Sequence, residues 1–521
     1  MPKLNYYIIL FSLLFYIFCY HITIRDRVLI NTLHHIERSS LSPPSSRHLF
    51  EGAMEGMFKT LDKYSYYTPA SGQKDYNDHL DNQYVGIGFI SHPFSDKKSV
   101  EIIYPLIHSP AYHAGLRTGD RILAVNGNDL TASQIEDFSS LIKKLCDNEI
   151  ELTVLQFGKT EPVSIKLRAA PLNVDSVEGD SIDSNGNRNF LLESNNEIGY
   201  IRITSFSSRT ADEFGDALRQ LYKKQSQGLI LDLRGNPGGY VKIAVEIAMM
   251  LIKSTNNKTI IVSTKFKSGR IKKIYYGNEK SQICSIPIAV LIDVNTASAS
   301  EILAAALQDY QRAVIVGNRS YGKGVVQEIY DLPANSGTYQ LTGVSYWRPS
   351  NKNINRTENA AENDEWGVIP DFECKLDLQK WRTNVIDSIR NRRANIICEN
   401  REIYLNSYIE NIEKNIEKIR AELNNSNKNN SNENKNETKE NNEDQNKNTN
   451  ENKNENENKN ENENKSENEN DLINDTNKPF KLQGTPPYFD PQLDKAIEIL
   501  KELISGKSVL DVINKNVIVQ E

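Results

Sequence analysis

Two side chains have the types and spacing for chemistry. Ser298 lies in Asn295-Thr296-Ala297-Ser298-Ala299-Ser300-Glu301, and Lys323 lies in Tyr321-Gly322-Lys323-Gly324. A serine hydroxyl becomes a nucleophile only when a neighbouring base takes its proton. All eight histidines (His21, His34, His35, His48, His79, His92, His108 and His113) precede residue 114. The segment therefore has no histidine of its own, and the nearest base is the Lys323 amine. That points to a Ser/Lys hydrolase and away from a Ser-His-Asp arrangement. With an ordinary lysine pKa near ~10.4, only about one amine in a thousand is neutral at pH 7. The reading therefore requires burial that lowers the pKa by several units.

Ser298 opens a stretch rich in alanine, leucine and isoleucine, which predicts a helix beginning at the serine. The first turn of a helix has unpaired N–H groups and the positive end of the dipole. The Ala299 N–H is thus placed to help form an oxyanion hole. A second donor is expected from a glycine, because only glycine allows so close a backbone approach. Ser300 is a rival nucleophile in the same motif. The plain alternative for the whole motif is a set of small residues packed inside a helix. Gly317-Asn318-Arg319-Ser320-Tyr321-Gly322-Lys323 imitates a P-loop, but Gly324 follows where a hydroxyl would meet magnesium. Val325 to Tyr330 then reads as a strand, whereas a P-loop opens a helix, so nucleotide binding is rejected. His34-His35 reads as a polar stretch next to a membrane and not as a metal site.

The elements that must position these residues follow from periodicity. Residues 28 to about 82 read as short helices, with apolar spacing over Leu49–Leu61 interrupted by Asp62 to Pro69. From 83 to 170 short strands with glycine turns predominate. From about 196 to 377 strands and helices alternate: strand Gly199–Ile203, helix Ala211–Lys224, strand Gly228–Leu233, helix Val241–Ile252, strand Ile286–Ile292, helix Ser298–Gln311 and strand Ala313–Val316. That alternation predicts an α/β core with helices layered on a sheet. Residues 380 to 422 read as helical. Asn424 to Asn470 is almost wholly Asn, Glu and Lys and cannot bury a core, so disorder is expected there. Order resumes at Pro487, with Asp490 as an N-cap, Pro491 at the first helical position and Gly506 at the stop.

Tyr84-Val85-Gly86-Ile87-Gly88-Phe89, followed by Ser109-Pro110-Ala111 and Leu116-Arg117-Thr118-Gly119-Asp120-Arg121-Ile122, resembles a PDZ domain of the circularly permuted bacterial type. The resemblance implies that Tyr84, Val85, Gly86, Ile87 and Gly88 form a loop for a peptide's terminal carboxylate, the peptide adding as a strand. The plain alternative is a β-domain whose glycines only make turns. Three further blocks occur in order: Asp232-Leu233-Arg234-Gly235-Asn236-Pro237-Gly238-Gly239, Ala297-Ser298-Ala299-Ser300-Glu301-Ile302 and Gly322-Lys323-Gly324-Val325-Val326-Gln327. With Tyr346-Trp347-Arg348-Pro349-Ser350 and Gly367-Val368-Ile369-Pro370-Asp371 they resemble the carboxy-terminal processing peptidases, or tail-specific proteases, over about residues 50 to 377. The resemblance implies a multidomain α/β protein with a ClpP/crotonase-type core and an inserted PDZ domain. It implies Ser298 as nucleophile, Lys323 as base and Gln327 as third member, and it favours Ser298 over Ser300. It also implies Gly239, with Gly238 as fallback, beside Ala299 in the oxyanion hole. Asp309 takes a supporting place, against the plain reading of a surface helix carboxylate.

The implied organisation is an anchor or signal over 1–27, a helical segment over 28–82, a PDZ domain over 83–170 and a protease core over 171–377. A helical segment follows over 378–422, then an Asn/Glu/Lys linker over 423–480 and a helical segment over 481–521. The apolar share of 38% is low for a globular chain, but the polar tract accounts for the deficit. The net charge of −7 gives no sign of a nucleic-acid partner. Five scattered cysteines make neither a metal site nor a disulfide framework and read as mostly buried thiols. Lys3, the apolar run Tyr6–Tyr20, and Arg25 and Arg27 read as an uncleaved export signal anchoring the chain in the inner membrane, facing the periplasm. A cleaved signal and a secreted protein is the other reading. The expected function is an exported serine endopeptidase acting on unfolded or C-terminally exposed proteins, with no metal or cofactor and with room for a homo-oligomer. A non-catalytic tail-binding scaffold is the alternative, and a crotonase-like acyl-transfer enzyme is a weaker third.

Overall fold

The computed structural model describes residues 11–12, 24–94, 98–183, 185–254, 258–278, 282–361, 363–373, 380–396, 405 and 490–520. The expected Asn/Glu/Lys linker lies outside these, as does most of the apolar run Tyr6–Tyr20. Among the described residues no helix is long and apolar enough to cross a membrane. Of the cysteines described, Cys284 is buried and Cys146 half-buried. The chain forms two compact units, one of Met1–Asn77 with Val326–Val344 and one of Asp78–Val325 with Ser345–Glu521.

The smaller unit contains helices Ile24–Ser39 and Ser46–Phe58, the second capped by the Ser45 hydroxyl, which accepts from the His48 N–H. The sequence predicted only helices and a break over 28–82, yet Tyr66–Thr68 is a strand paired antiparallel with Thr338–Gln340. Three residues carry no legible periodicity, and their partner lies some 270 positions away. The Tyr67 hydroxyl, donating to the Ser336 carbonyl at 2.6 Å, secures that pairing.

In the larger unit, strands Phe89–Pro93, Val100–Pro105, Arg121–Val125, Glu149–Leu155 and Val163–Arg168 make an antiparallel sheet. Its core holds Ile102, Leu116, Ile122, Ile150, Leu152 and Val154, all fully buried, with Phe138 and Ile142 from helix Phe138–Leu145.

A second sheet carries the expected α/β layer. Its order is Val177–Glu178, Asn195–Ile203, Gly228–Asp232, Ile288–Ile292, Ala313–Gly317 and Phe372–Glu373, parallel from the second strand onward. The three central strands are buried along their whole length, which is why they read as continuous apolar runs. Helices Thr210–Lys223, Val241–Leu251 and Ala299–Asp309 lie where periodicity predicted them, to within two residues at each end. The three candidate site loops all leave the carboxyl ends of adjacent parallel strands, where open α/β sheets present their functional groups.

The C-terminal helix Pro491–Ile504 belongs to this core. Asp490 caps it by accepting from the Leu493 N–H, and Gly506, at φ 98°, follows its end. Leu493, Ala496, Ile499, Leu500 and Leu503 cover Ile230, Ala289, Leu291, Val314 and Val316 of the sheet. Asp490 also meets Arg234 in a buried charge cluster. The Arg234 guanidinium is 1% exposed, and all of its N–H donors find acceptors on Asp232, Asp490 and Gln492. Burial opposes ionisation of Asp232, but the Arg234 and Arg390 guanidiniums hold it well below the usual carboxylate range. Leu500→Ala is expected to lower the unfolding free energy by about 2–5 kcal/mol, as a buried leucine in a packed core does. Urea denaturation checks it, and a loss typical of an exposed leucine would place the helix outside the core.

Candidate active site

Ser298 is the residue before helix Ala299–Asp309 and has φ 58° and ψ −115°. A non-glycine residue at positive φ outside the left-handed helical well is strained, and such strain persists only where surrounding contacts impose it. Here they are numerous. Asp293 accepts from the Gly235 and Asn295 N–H groups and from the Thr296 hydroxyl. The Asn236 carbonyl accepts from the Ala297 N–H and the Ser300 hydroxyl. These bonds fasten the serine turn to the glycine loop 232–239. Ser298 itself is half-buried and open to solvent, whereas Ser300 is fully buried with its proton directed to Asn236. The rival nucleophile is thus occupied.

The glycine loop touches Ser298 directly. A Cβ on Gly238 would lie 2.8 Å from the Ser298 Cβ and 3.0 Å from the Ala299 nitrogen. A Cβ on Gly239 would lie 2.3 Å from the Phe206 carbonyl oxygen. Neither position admits a side chain. The Gly238 N–H donates to Asn236 Oδ1 at 2.9 Å, which removes the fallback donor. The Gly239 and Ala299 N–H groups donate to no group among the described residues. The loop therefore offers two uncommitted backbone donors next to the strained serine.

Lys323 reaches the same place through Glu301. This carboxyl is fully buried, and its Oε2 accepts both the Ser298 N–H and the Lys323 N–H, each at 2.8 Å. Its Oε1 accepts the Gly322 N–H and the Ser320 hydroxyl, each at 2.6 Å. One carboxylate thus makes the backbones of serine and lysine immediate neighbours. Gly322, at φ 84°, lets the chain pass so close to Trp366 and Arg356 that a Cβ would lie 2.9 Å and 2.7 Å from them. The Lys323 side chain is half-buried, so the surrounding protein shields it only in part.

No role for Glu301 follows from the residue types alone. Its signal was the Ser-x-x-Glu spacing of a capping box, in which the glutamate returns to the cap residue's N–H. What the spacing could not reveal is that the same carboxylate also holds the lysine loop. Gln327 belongs to the smaller unit, where its amide donates to Thr342 Oγ1 at 3.3 Å. Asp309 lies eleven residues along the helix from Ser298, roughly 16 Å at the rise of an α-helix. It pairs with Arg348 at 2.6 Å and accepts from the Ser350 N–H, so it fastens the Tyr346–Ser350 segment and not the serine.

In the antiparallel domain Tyr84, Val85 and Gly86 belong to a strand paired with Ala170–Asn173. The Ile87 and Gly88 carbonyls accept from Ala111 and Leu106. The Ile87 and Gly88 N–H groups donate to no group among the described residues. They border a cavity of about 730 Å³ whose lining includes Ile87, Phe89, Phe138 and Ile142 beside charged residues such as Lys143 and Arg209. Among the described residues no cluster of His, Cys, Asp or Glu could hold a metal ion.

Comparison with known proteins gives a family for two segments of the chain. Residues 197–374 match the model of peptidase family S41, and residues 102–156 match that of the PDZ domain. The chain is 31% identical over 306 residues to the carboxy-terminal processing protease CtpB of Bacillus subtilis, covering 58% of this chain and 60% of that protein. It is 30% identical over 339 residues to the carboxy-terminal-processing protease of Bartonella bacilliformis, covering 64% and 71%. The aligned part thus spans less than two thirds of the first relative and somewhat more of the second. The solved photosystem II D1 C-terminal processing protease aligns over 66% of this chain and 86% of its own, at 24% identity and a TM-score of 0.37.

Burial pushes the Glu301 carboxyl from its usual 4.5 up to about 7, against the hydrogen bonds from Ser320, Gly322, Ser298 and Lys323. A raised carboxyl pKa means that the folded state holds the proton more tightly than the unfolded state. On this group's account, stability is greatest below pH 4.5 and falls as pH rises to about 7. Glu301→Gln turns an amide NH₂ toward two donors and should cost about 1–3 kcal/mol or more at pH 8. It should also flatten the pH slope between 4.5 and 7. Melting temperatures of both proteins across that range check it, and parallel slopes would contradict the assignment.

Proposed function

The chain belongs to peptidase family S41, the carboxy-terminal processing proteases, and on that premise we propose that it is a serine endopeptidase that captures C-terminal tails of unfolded proteins and cleaves them with a Ser298/Lys323 dyad. One observation carries the reading: Glu301 holds the strained Ser298 and the lysine loop on one carboxylate oxygen, beside the uncommitted Gly239 and Ala299 N–H groups.

The chemistry follows from these positions. The Ser298 hydroxyl oxygen adds to the peptide carbonyl carbon while the neutral Lys323 amine takes the hydroxyl proton. The carbonyl oxygen becomes an oxyanion, stabilised by the Gly239 and Ala299 N–H groups. The carbon–nitrogen bond then breaks, the departing amine takes the proton back from Lys323, and an ester to Ser298 remains. Water then adds to the ester carbon while the Lys323 amine takes its proton, the carbon–oxygen bond to Ser298 breaks, and the Ser298 oxygen takes that proton from Lys323 as the carboxylic acid leaves. A substrate strand lying over the half-buried Lys323 displaces the remaining water and favours the neutral amine. The PDZ groove supplies the address: the Ile87 and Gly88 N–H groups bind the terminal carboxylate, and Phe89, Phe138 and Ile142 take an apolar last side chain. The apolar run Tyr6–Tyr20, with Lys3 before it and Arg25 and Arg27 after it, supports export and retention at the membrane, with the protease on the extracytoplasmic side.

Ser298→Ala and Lys323→Ala are each expected to lower the cleavage rate of a disordered substrate by about 10⁴-fold or more, as loss of a covalent dyad does. The fold should persist by circular dichroism. Wild-type activity in either variant would refute the dyad. The wild-type rate should rise with pH between about 6 and 9 as the amine loses its proton, and a flat profile would exclude a lysine base.

A further inference from the structure

The first turn of the C-terminal helix touches two of the three site loops. On one side Asp490 and Gln492 accept from Arg234, at 2.8 Å for both Asp490 oxygens and 3.0 Å for Gln492 Oε1. Arg234 is part of the loop 232–239 that ends at Gly239. On the other side Gln492 Nε2 donates to Asn318 Oδ1 at 2.8 Å. Asn318 follows the strand Ala313–Gly317 and opens the loop that leads to Lys323. Gly317, just before Asn318, admits no side chain, since a Cβ there would lie 2.1 Å from the Ile292 carbonyl oxygen. Asp490 is 2% and Gln492 1% exposed. A buried amide that accepts from one loop and donates to another cannot shift without leaving a polar atom unpaired.

We propose that Gln492 and Asp490 are positioning residues for the reaction, tying the glycine loop to the lysine loop through Arg234 and Asn318. This is a second tie, made by a different segment of the chain from Glu301, which fastens the lysine loop to the serine turn. It rests on the peptidase reading given above. In consequence the segment beyond the Asn/Glu/Lys tract sets the active-site geometry: the two loops reach register only when residues 490–492 are docked.

The test uses the full-length chain carrying Gln492→Leu, with Asn318→Ala as a second variant that breaks the lysine-side bond from a half-buried position. Two readouts are needed. Amide hydrogen exchange followed by mass spectrometry should show faster exchange in 235–239 and 318–324 for Gln492→Leu, and in 318–324 alone for Asn318→Ala. In steady-state cleavage, kcat should fall by about 10- to 100-fold in Gln492→Leu, with KM changed less than about threefold, because misaligned groups lose transition-state contacts while the peptide groove is untouched. A general loss of stability would speed exchange throughout the sheet and would not separate kcat from KM. Unchanged exchange in both loops overturns the proposal whatever the kinetics. Faster exchange with unchanged kcat, in a chain whose cleavage Ser298→Ala abolishes, overturns the link to catalysis. If Ser298→Ala leaves cleavage intact, the peptidase reading fails, and the exchange result still decides whether the helix positions the loops.

Discussion

A single buried carboxylate organises this site. Glu301 accepts from the backbone of Ser298, Gly322 and Lys323 and from the Ser320 hydroxyl, so two loops from different strands share one acceptor. Burying an acid costs free energy unless its oxygens are fully bonded, and here that cost is offset only when both loops are in place. The carboxylate therefore acts as a geometric lock. It also holds the backbone of Ser298, whose φ is positive, by accepting its N–H.

The sheet beneath supplies what the lock acts upon. Three parallel strands, fully buried, end side by side and release the glycine loop, the serine turn and the lysine loop at one edge. Between them run the bonds of Asp293, Thr296, Asn236 and Glu301, and beneath them the Arg234 cluster. Arg234 illustrates how a buried cation is tolerated. Its fork meets two carboxylates and an amide, so no donor is left dry. The C-terminal helix and its cap bring three of those five acceptor oxygens, which makes the helix part of the architecture of the site and not an appendage.

The sequence was informative where chemistry is local. Ser298 and Lys323 stand in short blocks, and the absence of histidine after residue 113 already pointed to Lys323 as the base of the proposed dyad. The helices and strands of the core were legible because their burial is uniform along a strand or periodic around a helix. Asp490, Pro491 and Gly506 were legible as cap, first turn and stop, since capping depends on neighbours a few positions away. Tyr66–Thr68 was not legible, because a three-residue strand acquires its identity from Thr338–Gln340. The choice between Gly238 and Gly239 as donor was open to sequence. It turns on which N–H Asn236 already occupies, a matter of three-dimensional hydrogen bonding.

By itself, then, the chain's order of residues determined which groups are present at the candidate sites: a hydroxyl, an amine, glycines that permit close approach, and a glycine-containing loop before a strand. It could do so because residue type and short-range spacing are written along the backbone. Only the tertiary structure decided how these groups are held. Glu301 became the tie between serine and lysine, Asp309 became the partner of Arg348, and Asp490 closed on Arg234 from 256 positions away. Such partnerships depend on which surfaces the sheet brings together. A buried polar atom bonds whatever the fold places beside it, regardless of its distance along the chain.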